Sequence, residues 1–305
     1  MIDTPWGPIK VADAHVHFFS PPFFRSLAEQ KKNADVGELL GFEVPATAEA
    51  LAERWHAELD MRQVGSAMLI ASVPGDVESV GTAVDLYPER FHSVVMVNPV
   101  LAGSDLRCAT ALAEGQIHGV FLFPAMHHYS MHDVKVHSLL SIVAGNGGGI
   151  VYVHCGMLTL GFRKKLGLPS LFDMQYSNPA DLHAAALAFP HLPFVIPHFG
   201  AGYFREALLV AAQCPNVYFD TSGSHSWMKC DPHPLDLPGV FRKALDVVGP
   251  ERLLFGTDSS WFPRGWVRDV FDRQVLALSE IGVSAESARA IFGGNLRRLM
   301  APKSK

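Results

Sequence analysis

Several features that mark other classes of protein are absent from this sequence. Its 305 residues include only four cysteines, and no two of them form a Cys-x-x-Cys pair, so a disulfide scaffold is not expected. The first residues lack a basic segment followed by an apolar one, which argues against a signal peptide. No uncharged apolar run approaches the roughly 20 residues that span a bilayer. These absences favour a cytoplasmic protein with reduced thiols.

Clustered positive charge is also absent. The net charge is −5, and the lysines and arginines are dispersed along the chain, so we expect neither a nucleic-acid partner nor a membrane partner. With 49% hydrophobic and 18% charged residues, the chain can bury one large core. We therefore predict a single globular domain over residues 1–305, with a small molecule as its partner. A homo-oligomer is equally compatible with this composition.

Short β-rich runs alternate with helical stretches along the chain. The runs are mostly apolar throughout, as parallel strands covered on both faces are. The predicted strands are Val11–His17, Gly65–Ser72, His92–Asn98, Gly119–Phe123, Gly149–His154, Phe194–His198, Val217–Asp220 and Leu253–Asp258. The helices predicted between them include Ala46–Arg62, Ser104–Glu114, Pro179–Phe189, Tyr203–Gln213 and Val267–Ile281.

Eight such strands predict a somewhat distorted (β/α)8 barrel, the TIM-barrel fold. An open doubly wound sheet is the alternative, but no Gly-x-Gly-x-x-Gly follows the first strand. The connections Phe18–Pro45 and Gly156–Asn178, after strands one and five, are longer than a minimal loop. In a barrel they would lie on the face that carries the active site, so we predict that they cover it.

The first strand ends in Asp13-Ala14-His15-Val16-His17. Residues two apart in an extended strand point to the same face, so His15 and His17 can converge on one ion. The pair alone is a weak signal, because two histidines at this spacing are also found as ordinary polar residues of a barrel. Taken by itself, the motif leaves both interpretations open.

Further residues of the ligand type fall at the ends of later predicted strands. His154 ends the fifth, His198 the sixth and Asp258 the eighth. In a barrel all of them reach the C-terminal rim, where imidazoles and a carboxylate can surround a cation. Any one of them could be a structural residue, but their joint placement favours a metal site.

This pattern resembles the amidohydrolase superfamily, in particular the amidohydrolase 2 branch that includes aminocarboxymuconate-semialdehyde decarboxylase and related lactone hydrolases. The resemblance runs from Asp13 to the closing Gly294-Asn295-Leu296-Arg297-Arg298-Leu299 segment. It implies that His15, His17, His154 and Asp258 bind one divalent metal, while His198 polarises the substrate or moves protons.

The fourth strand distinguishes this sequence from the binuclear members of the superfamily. Their bridging lysine or glutamate ends that strand, whereas this chain reads Gly119-Val120-Phe121-Leu122-Phe123-Pro124. Because phenylalanine cannot ligate a cation, we predict a single metal. Imidazole and carboxylate ligands suit Zn²⁺ first, with Mn²⁺, Fe²⁺ or Co²⁺ as alternatives.

The function that follows is hydrolysis of a C–O or C–N bond in a small carbonyl compound such as a lactone, ester or amide. Asp258 would accept the proton of the attacking water and deliver it to the leaving group, and His198 would stabilise charge on the carbonyl oxygen. A non-oxidative decarboxylase is the alternative, since some members of this branch cleave a C–C bond with the same ligands. A non-catalytic barrel is disfavoured, because structural zinc sites close their coordination within a compact motif.

Weaker predictions concern residues around the site. Asp220 ends strand seven and either orients a histidine or caps the following loop. Trp227 follows the same strand and could line a pocket. Arg163, Arg205 and Arg264 lie after strand ends, where a guanidinium could bind a substrate carboxylate. Nearby aromatic residues would then suit an aromatic or unsaturated acid.

Overall fold

The computed structural model describes residues 1–223 and 225–301, and it contains one sheet of eight strands. The strands follow one another around the sheet in chain order, and every neighbouring pair is parallel. They are β1 (Ala12–Phe18), β2 (Ser66–Ala71), β3 (Phe91–Val97), β4 (Gly119–Leu122), β5 (Ile150–Val153), β6 (Phe194–Ile196), β7 (Val217–Asp220) and β8 (Leu253–Leu254). The predicted TIM barrel is confirmed.

The barrel closes between β1 and the segment that follows β8. Ala14 N–H donates to the carbonyl of Phe255 at 2.8 Å, and His17 N–H donates to that of Ser259 at 2.7 Å. In the other direction, Asp258 N–H donates to the His15 carbonyl at 3.0 Å. These backbone bonds bring the residues after β8 directly beside the two histidines of β1.

Helices cover the outside of the barrel. They are α1 (Pro21–Gln30), α2 (Val36–Leu40), α3 (Ala48–Met61), α4 (Val77–Leu86), α5 (Ser104–Ala113), α6 (Pro124–His127), α7 (Val134–Gly145), α8 (Gly161–Lys165), α9 (His183–Ala188), α10 (Phe204–Gln213), α11 (Leu237–Val248), α12 (Arg268–Glu280), α13 (Ala285–Arg289) and α14 (Asn295–Met300). Several begin at side-chain caps, as where Thr47 accepts a hydrogen bond from Ala50 N–H. The predicted helix Pro179–Phe189 instead begins as a 3-10 turn and continues as α9.

Side chains from alternate strand positions fill the barrel interior. Phe121, Tyr152 and Leu254 are fully buried members of this inner cluster, and the Tyr152 hydroxyl donates to the Ala14 carbonyl at 2.7 Å. A larger apolar cluster lies between the strands and the surrounding helices. The sheet is therefore covered on both faces, which explains why the strands read as continuous apolar runs.

Six of the predicted strands were too long at their C-terminal ends: β2, β3, β4 and β5 by one residue, β6 by two and β8 by four. His154 follows β5, His198 lies two residues beyond β6, and Asp258 lies four residues beyond β8. His198 and Asp258 have φ angles of 57° and 59°, in the left-handed region that no extended strand adopts. The extended strand conformation thus ends before these residues, although both still line the rim cavity.

The two long connections carry structure of their own. Phe18–Pro45 contains α1 and α2, and Gly156–Asn178 contains α8 and a 3-10 turn at Met174–Tyr176. Side chains from both connections form a third apolar cluster over the rim, separate from the barrel core. In the part of the chain that the structure describes, no helix combines the length and apolar character needed to cross a membrane.

Candidate metal centre

The side chains of His15, His17 and Asp258 meet at the centre of the rim. The two Nε2 atoms lie 3.3 Å apart, and Asp258 Oδ1 is 3.7 Å from that of His15 and 3.5 Å from that of His17. Nitrogens about 2.0–2.1 Å from a tetrahedral ion are separated by about 3.3 Å. The spacing of the two imidazoles thus suits a shared cation, and the carboxylate is slightly farther out.

Asp220 determines which nitrogen of His15 faces this centre. The fully buried Asp220 carboxylate lies 2.5 Å from His15 Nδ1, and it also accepts a 2.7 Å hydrogen bond from Ser222 N–H. A carboxylate accepts only, so the His15 Nδ1 carries the hydrogen and Nε2 is turned toward His17. A buried carboxylate behind a ligand histidine is the usual outer partner of a metal site.

Ser72 plays the corresponding part behind His17. Its hydroxyl is 2.8 Å from His17 Nδ1 and 3.2 Å from the Ile70 carbonyl. Because the carbonyl can only accept, the hydroxyl hydrogen points to Ile70 and its oxygen accepts from His17 Nδ1. The Nε2 atom of His17 is therefore also left for the centre, so both rings present the atom that a metal would use.

The pKa values of the two imidazoles are shifted in opposite directions. Burial disfavours the cationic form of His15, but the carboxylates of Asp220, Asp258 and Asp13 together outweigh burial and raise the pKa of His15. Burial and the neighbouring His15 lower the pKa of His17 to about 3. The surrounding carboxylates thus favour positive charge on the His15 side of the centre, whereas burial and His15 disfavour it on His17.

His154 and His198 lie beside this cluster but outside it. The buried His154 ring stacks on Phe123 with 5.4 Å between centroids, and the His198 ring is also 5.4 Å away, edge-on. No described residue pairs with His154 Nδ1, although the atom is buried. Burial, with His198 the next cause, lowers the pKa of His154 well below its usual value. The ring is thus a neutral nitrogen donor next to the centre.

Ser222 positions His198. Its carbonyl and hydroxyl oxygens each lie 3.0 Å from His198 Nδ1, and the His198 ring centroid is 5.0 Å from that of His15. A β-carbon added to Gly223 would approach His198 Nδ1 to 3.0 Å, so the small residue leaves room for the ring. Since Nδ1 is occupied by Ser222, the opposite nitrogen is the one available for chemistry.

Asp13 fixes the backbone that carries these residues. Its buried carboxylate accepts from His15 N–H at 2.9 Å, from Thr257 Oγ1 at 2.5 Å and from Trp266 Nε1 at 2.7 Å. Burial raises the pKa of Asp13 to about 6 despite these donors. The sequence contained no specific signal for this role, in which one carboxylate joins β1 to the chain after β8.

A cavity of about 590 Å³ opens directly above the candidate metal centre. Its floor contains His15, His17, His154, His198 and Asp258, the five residues predicted for the rim. Phe121 of β4 and Phe123, which follows β4, also line the cavity, so no ligand-type side chain enters it from that strand. The volume is typical of a small-molecule site.

The structure separates the more weakly predicted residues into two groups. Trp227 and Arg163 are buried and line the cavity. Arg205 is exposed on α10 and lies outside the lining, so nothing in its position supports substrate contact. Arg264 is also outside the lining; it stacks on Trp261 at 4.0 Å and donates to the Asp258 carbonyl at 2.9 Å.

Sequence reasoning missed Ser72, Ser222 and Gln30. Ser72 closes the second predicted strand, so its place at a strand end was the same signal that identified the histidines. Ser222 follows Asp220 by two residues, and its role depends on the loop that brings it to His198. Gln30 lies in the long connection after β1 and lines the cavity, and no sequence pattern marks it.

The fold and the site together define a class of protein. It is a parallel eight-stranded barrel with a candidate metal centre of histidines and an aspartate at its C-terminal rim. The chain belongs to the amidohydrolase family, because the family model described as "Amidohydrolase" matches residues 12–300. Protein fluG of Emericella nidulans is 34% identical over 87 residues, which are 28% of this chain and 10% of that protein. The match thus spans about a tenth of the fungal protein.

Solved structures of other proteins share the fold across nearly the whole chain. A candidate 2-pyrone-4,6-dicarboxylic acid hydrolase from Pseudomonas putida has a TM-score of 0.64 at 18% identity, covering 98% of this chain and all of that one. The 5-carboxyvanillate decarboxylase of Sphingomonas paucimobilis has a TM-score of 0.63 at 16% identity, covering 96% and 99%. An amidohydrolase from Burkholderia multivorans with bound zinc has a TM-score of 0.62 at 17% identity, covering 96% and 99%. At these identities the likeness establishes the fold alone.

Proposed function

We propose that the protein is a metal-dependent hydrolase that cleaves a C–O or C–N bond of a small carbonyl compound, with one divalent metal at the rim. The observation that carries this proposal is the convergence of His15 and His17 Nε2 atoms, 3.3 Å apart, beside the Asp258 carboxylate. Both rings are held by outer partners that leave these atoms free. An ion bound between the two rings would be contacted by both nitrogens and by the carboxylate.

The donor set suits Zn²⁺ first, with Mn²⁺, Fe²⁺ or Co²⁺ as alternatives. Nitrogen and carboxylate oxygen are typical zinc ligands, and catalytic zinc sites keep one position open for water or substrate. His15, His17 and Asp258 would hold the ion. The buried His154, whose Nδ1 has no partner among the described residues, is the fourth candidate ligand.

A bound divalent ion would lower the pKa of a water molecule and polarise the carbonyl group of a substrate. Asp258 is placed to accept the proton of the attacking water, because its half-exposed side chain adjoins both histidines and lines the cavity. It could then return that proton to the leaving oxygen or nitrogen. The carboxylate thus serves as ligand and as general base.

His198 would stabilise the charge that develops on the carbonyl oxygen. The Ser222 carbonyl can accept from Nδ1 of a cationic ring, and the Ser222 hydroxyl can donate to Nδ1 of a neutral ring. In both cases the remaining hydrogen is on Nε2, which is free to donate to a substrate oxygen. Ser222 therefore supports the donor role in either protonation state.

Non-oxidative decarboxylation is the second candidate, supported by the aromatic walls of the cavity. Phe19, Phe23 and Phe162 line it together with the candidate metal centre, and a flat carboxylated ring would pack well against them. The same fold occurs in the 5-carboxyvanillate decarboxylase, although fold likeness alone does not transfer a reaction. The two candidates differ in their products.

The test begins with protein purified without chelator, measuring bound metal by elemental analysis. A panel of lactones, esters, amides and carboxylated aromatic compounds is then screened for hydrolysis and for carbon dioxide release. Hydrolysis is followed by acid release in a pH-stat for the lactones and esters, and by amine release for the amides. We expect one metal per chain and hydrolysis that is lost in His17→Gln but kept in His191→Gln, an exposed histidine away from the cavity. Carbon dioxide release would favour the lyase, and metal-free turnover would overturn both candidates.

A further inference from the structure

Arg163 is a buried cation without a charged partner. Its side chain is 6% exposed, its Nε donates to the Pro169 carbonyl at 2.9 Å, and its Nη1 donates to Gln30 Oε1 at 2.8 Å. Both acceptors are neutral, and no carboxylate of the described residues lies within 4.0 Å of the guanidinium. Burying an unpaired charge costs free energy, so we expect this guanidinium to have a function that explains why it is kept.

A purely structural role accounts for only part of this arrangement. The two hydrogen bonds join α8 to the end of α1 and to the loop at Pro169, and a neutral donor could make them as well. They use two of the five N–H groups of the guanidinium. The three remaining N–H groups, one on Nη1 and two on Nη2, have no hydrogen-bond partner among the described residues. A guanidinium with free donors on both Nη atoms can bind a carboxylate.

The unpaired cation lines the same cavity as the candidate metal centre. Gln30 and Lys165 lie in the lining with it, whereas Asp258 is the single carboxylate among the described lining residues and belongs to the rim. The charge in the cavity is thus divided, with a carboxylate at the metal centre and unpaired cations on the wall formed by α1 and α8. An anion in the cavity would be attracted to that wall.

Aromatic rings lie between the candidate metal centre and Arg163. The ring centroid of Phe19 is 5.8 Å from that of His17 and 5.9 Å from that of Phe162, the residue that precedes Arg163. Phe19 also stacks on Phe23 with 3.9 Å between centroids. A molecule that reaches from the rim to Arg163 therefore passes over an apolar surface, which suits a hydrocarbon or aromatic middle.

We propose that Arg163 binds a carboxylate of the substrate at a distance from the reacting carbonyl. The substrate class is then a two-ended molecule, with a lactone, ester or amide at the rim, an apolar middle against Phe19 and Phe162, and a carboxylate at the guanidinium. The identity of the reacting end rests on the proposed function, while the carboxylate site does not. Gln30 is a positioning residue that orients the guanidinium through Nη1.

The test measures binding without turnover, in metal-free protein with chelator present. Phenylacetate, 3-phenylpropionate and 5-phenylpentanoate are titrated calorimetrically, each against the alcohol with the same carbon skeleton. We expect at least one carboxylate to bind about tenfold or more tightly than its alcohol, because a charge-assisted bidentate contact is worth more than a neutral one. Arg163→Met should remove this preference and leave alcohol binding unchanged.

Lys164→Met is the matched control, because this exposed neighbour on α8 carries the same charge and lies outside the cavity lining. It should keep the full preference. Arg163→Lys should keep part of the preference, since it retains the charge but not the bidentate edge. A preference that survives Arg163→Met would overturn the proposal.

If Arg163→Met fails to fold, the wild-type titrations still decide, since equal binding of every acid and its alcohol would contradict a carboxylate site. The metal-free design also separates the two proposals. Loss of the carboxylate preference leaves the hydrolase proposal untouched, whereas a protein without hydrolase activity can still show the preference.

Discussion

The two ends of the cavity are built in different ways. At the rim, the functional side chains lie at or shortly after the C-terminal ends of parallel strands, and hydrogen bonds to a second polar group hold several of them, as Asp220 holds His15 and Ser72 holds His17. At the opposite end, formed by the connections after β1 and β5, the walls are rings packed on one another, such as Phe19 on Phe23 with 3.9 Å between centroids. Hydrogen bonds fix the first end, and apolar packing shapes the second.

This difference separates the residues proposed to carry out the reaction from those proposed to select the substrate. Side chains held by hydrogen bonds on a barrel keep the sub-ångström geometry that a metal and a proton transfer require. Rings on long connections can be exchanged without disturbing the barrel, which is how one fold accommodates many substrates. We therefore expect substitutions at the rim to abolish activity and substitutions in the aromatic wall to change substrate affinity.

The largest effect should come from Asp258→Asn. An amide cannot accept the proton of the attacking water, so kcat should fall by about 10²–10⁴-fold, the usual contribution of general acid–base catalysis. Steady-state kinetics on the substrate found in the panel would measure the loss. Asp246→Asn, on the exposed face of α11, should leave kcat unchanged. A kcat within tenfold of wild type for Asp258→Asn would contradict the role of that carboxylate.

Metal removal should lower the free energy of unfolding, and this loss should depend on the rim residues but not on the aromatic wall. If the folded state binds the ion at a concentration about 1,000 times its dissociation constant, chelation lowers the free energy of unfolding by about 4 kcal/mol. Urea unfolding with and without chelator would show the difference. The His17→Gln variant should no longer respond to chelator, while Phe162→Ala in the aromatic wall should respond like wild type. Equal responses of all three proteins would remove the distinction between the two ends.

Asp220→Asn tests the outer partner of His15. An amide carries no charge to support the imidazole and can present a donor to Nδ1, so metal affinity should fall by about 10–100-fold. Competition with a chromophoric chelator measures that affinity directly. Asp246→Asn serves again as the control. Unchanged metal affinity in Asp220→Asn would show that the buried carboxylate is only structural.

A smaller effect is expected from Phe162→Ala. Losing one ring from the wall should weaken substrate binding by about 1–2 kcal/mol, a factor of 5–30 in KM, with kcat nearly unchanged. Phe172→Ala is the matched control, because Phe172 lies on the same connection but outside the cavity lining. A fall in kcat with constant KM would place Phe162 with the rim residues instead.

The smallest effect should be that of Ser72→Ala. One neutral hydrogen bond to His17 Nδ1 is lost, worth about 1 kcal/mol, so metal affinity should fall by roughly fivefold. The chelator competition used for Asp220→Asn applies here too. Ser141→Ala, an exposed serine on α7, should show no change. A loss as large as that in Asp220→Asn would mean that charge is not what distinguishes the two outer partners.

The sequence predicted the order of the eight strands and the residues that gather at the rim, because apolar runs and polar residues just after them are local patterns. It placed the ends of six strands too far along the chain, and the largest errors are those of β6 and β8. The left-handed conformations of His198 and Asp258 caused two of these errors, and they arise from barrel closure and packing that no local pattern encodes. Among the arginines, burial rather than position distinguished Arg163 from Arg205.

The sequence by itself determined the barrel, the family pattern and the candidate ligands. The apolar runs of the strands are local features of the chain. So is the placement of the ligand-type residues at their ends, which are His15, His17, His154, His198 and Asp258. Only the tertiary structure decided how those atoms are oriented and what faces them. The contact of Asp220 with His15 spans 205 positions, and that of Gln30 with Arg163 spans 133. Such long-range contacts follow from how the barrel closes and how its connections pack over the rim.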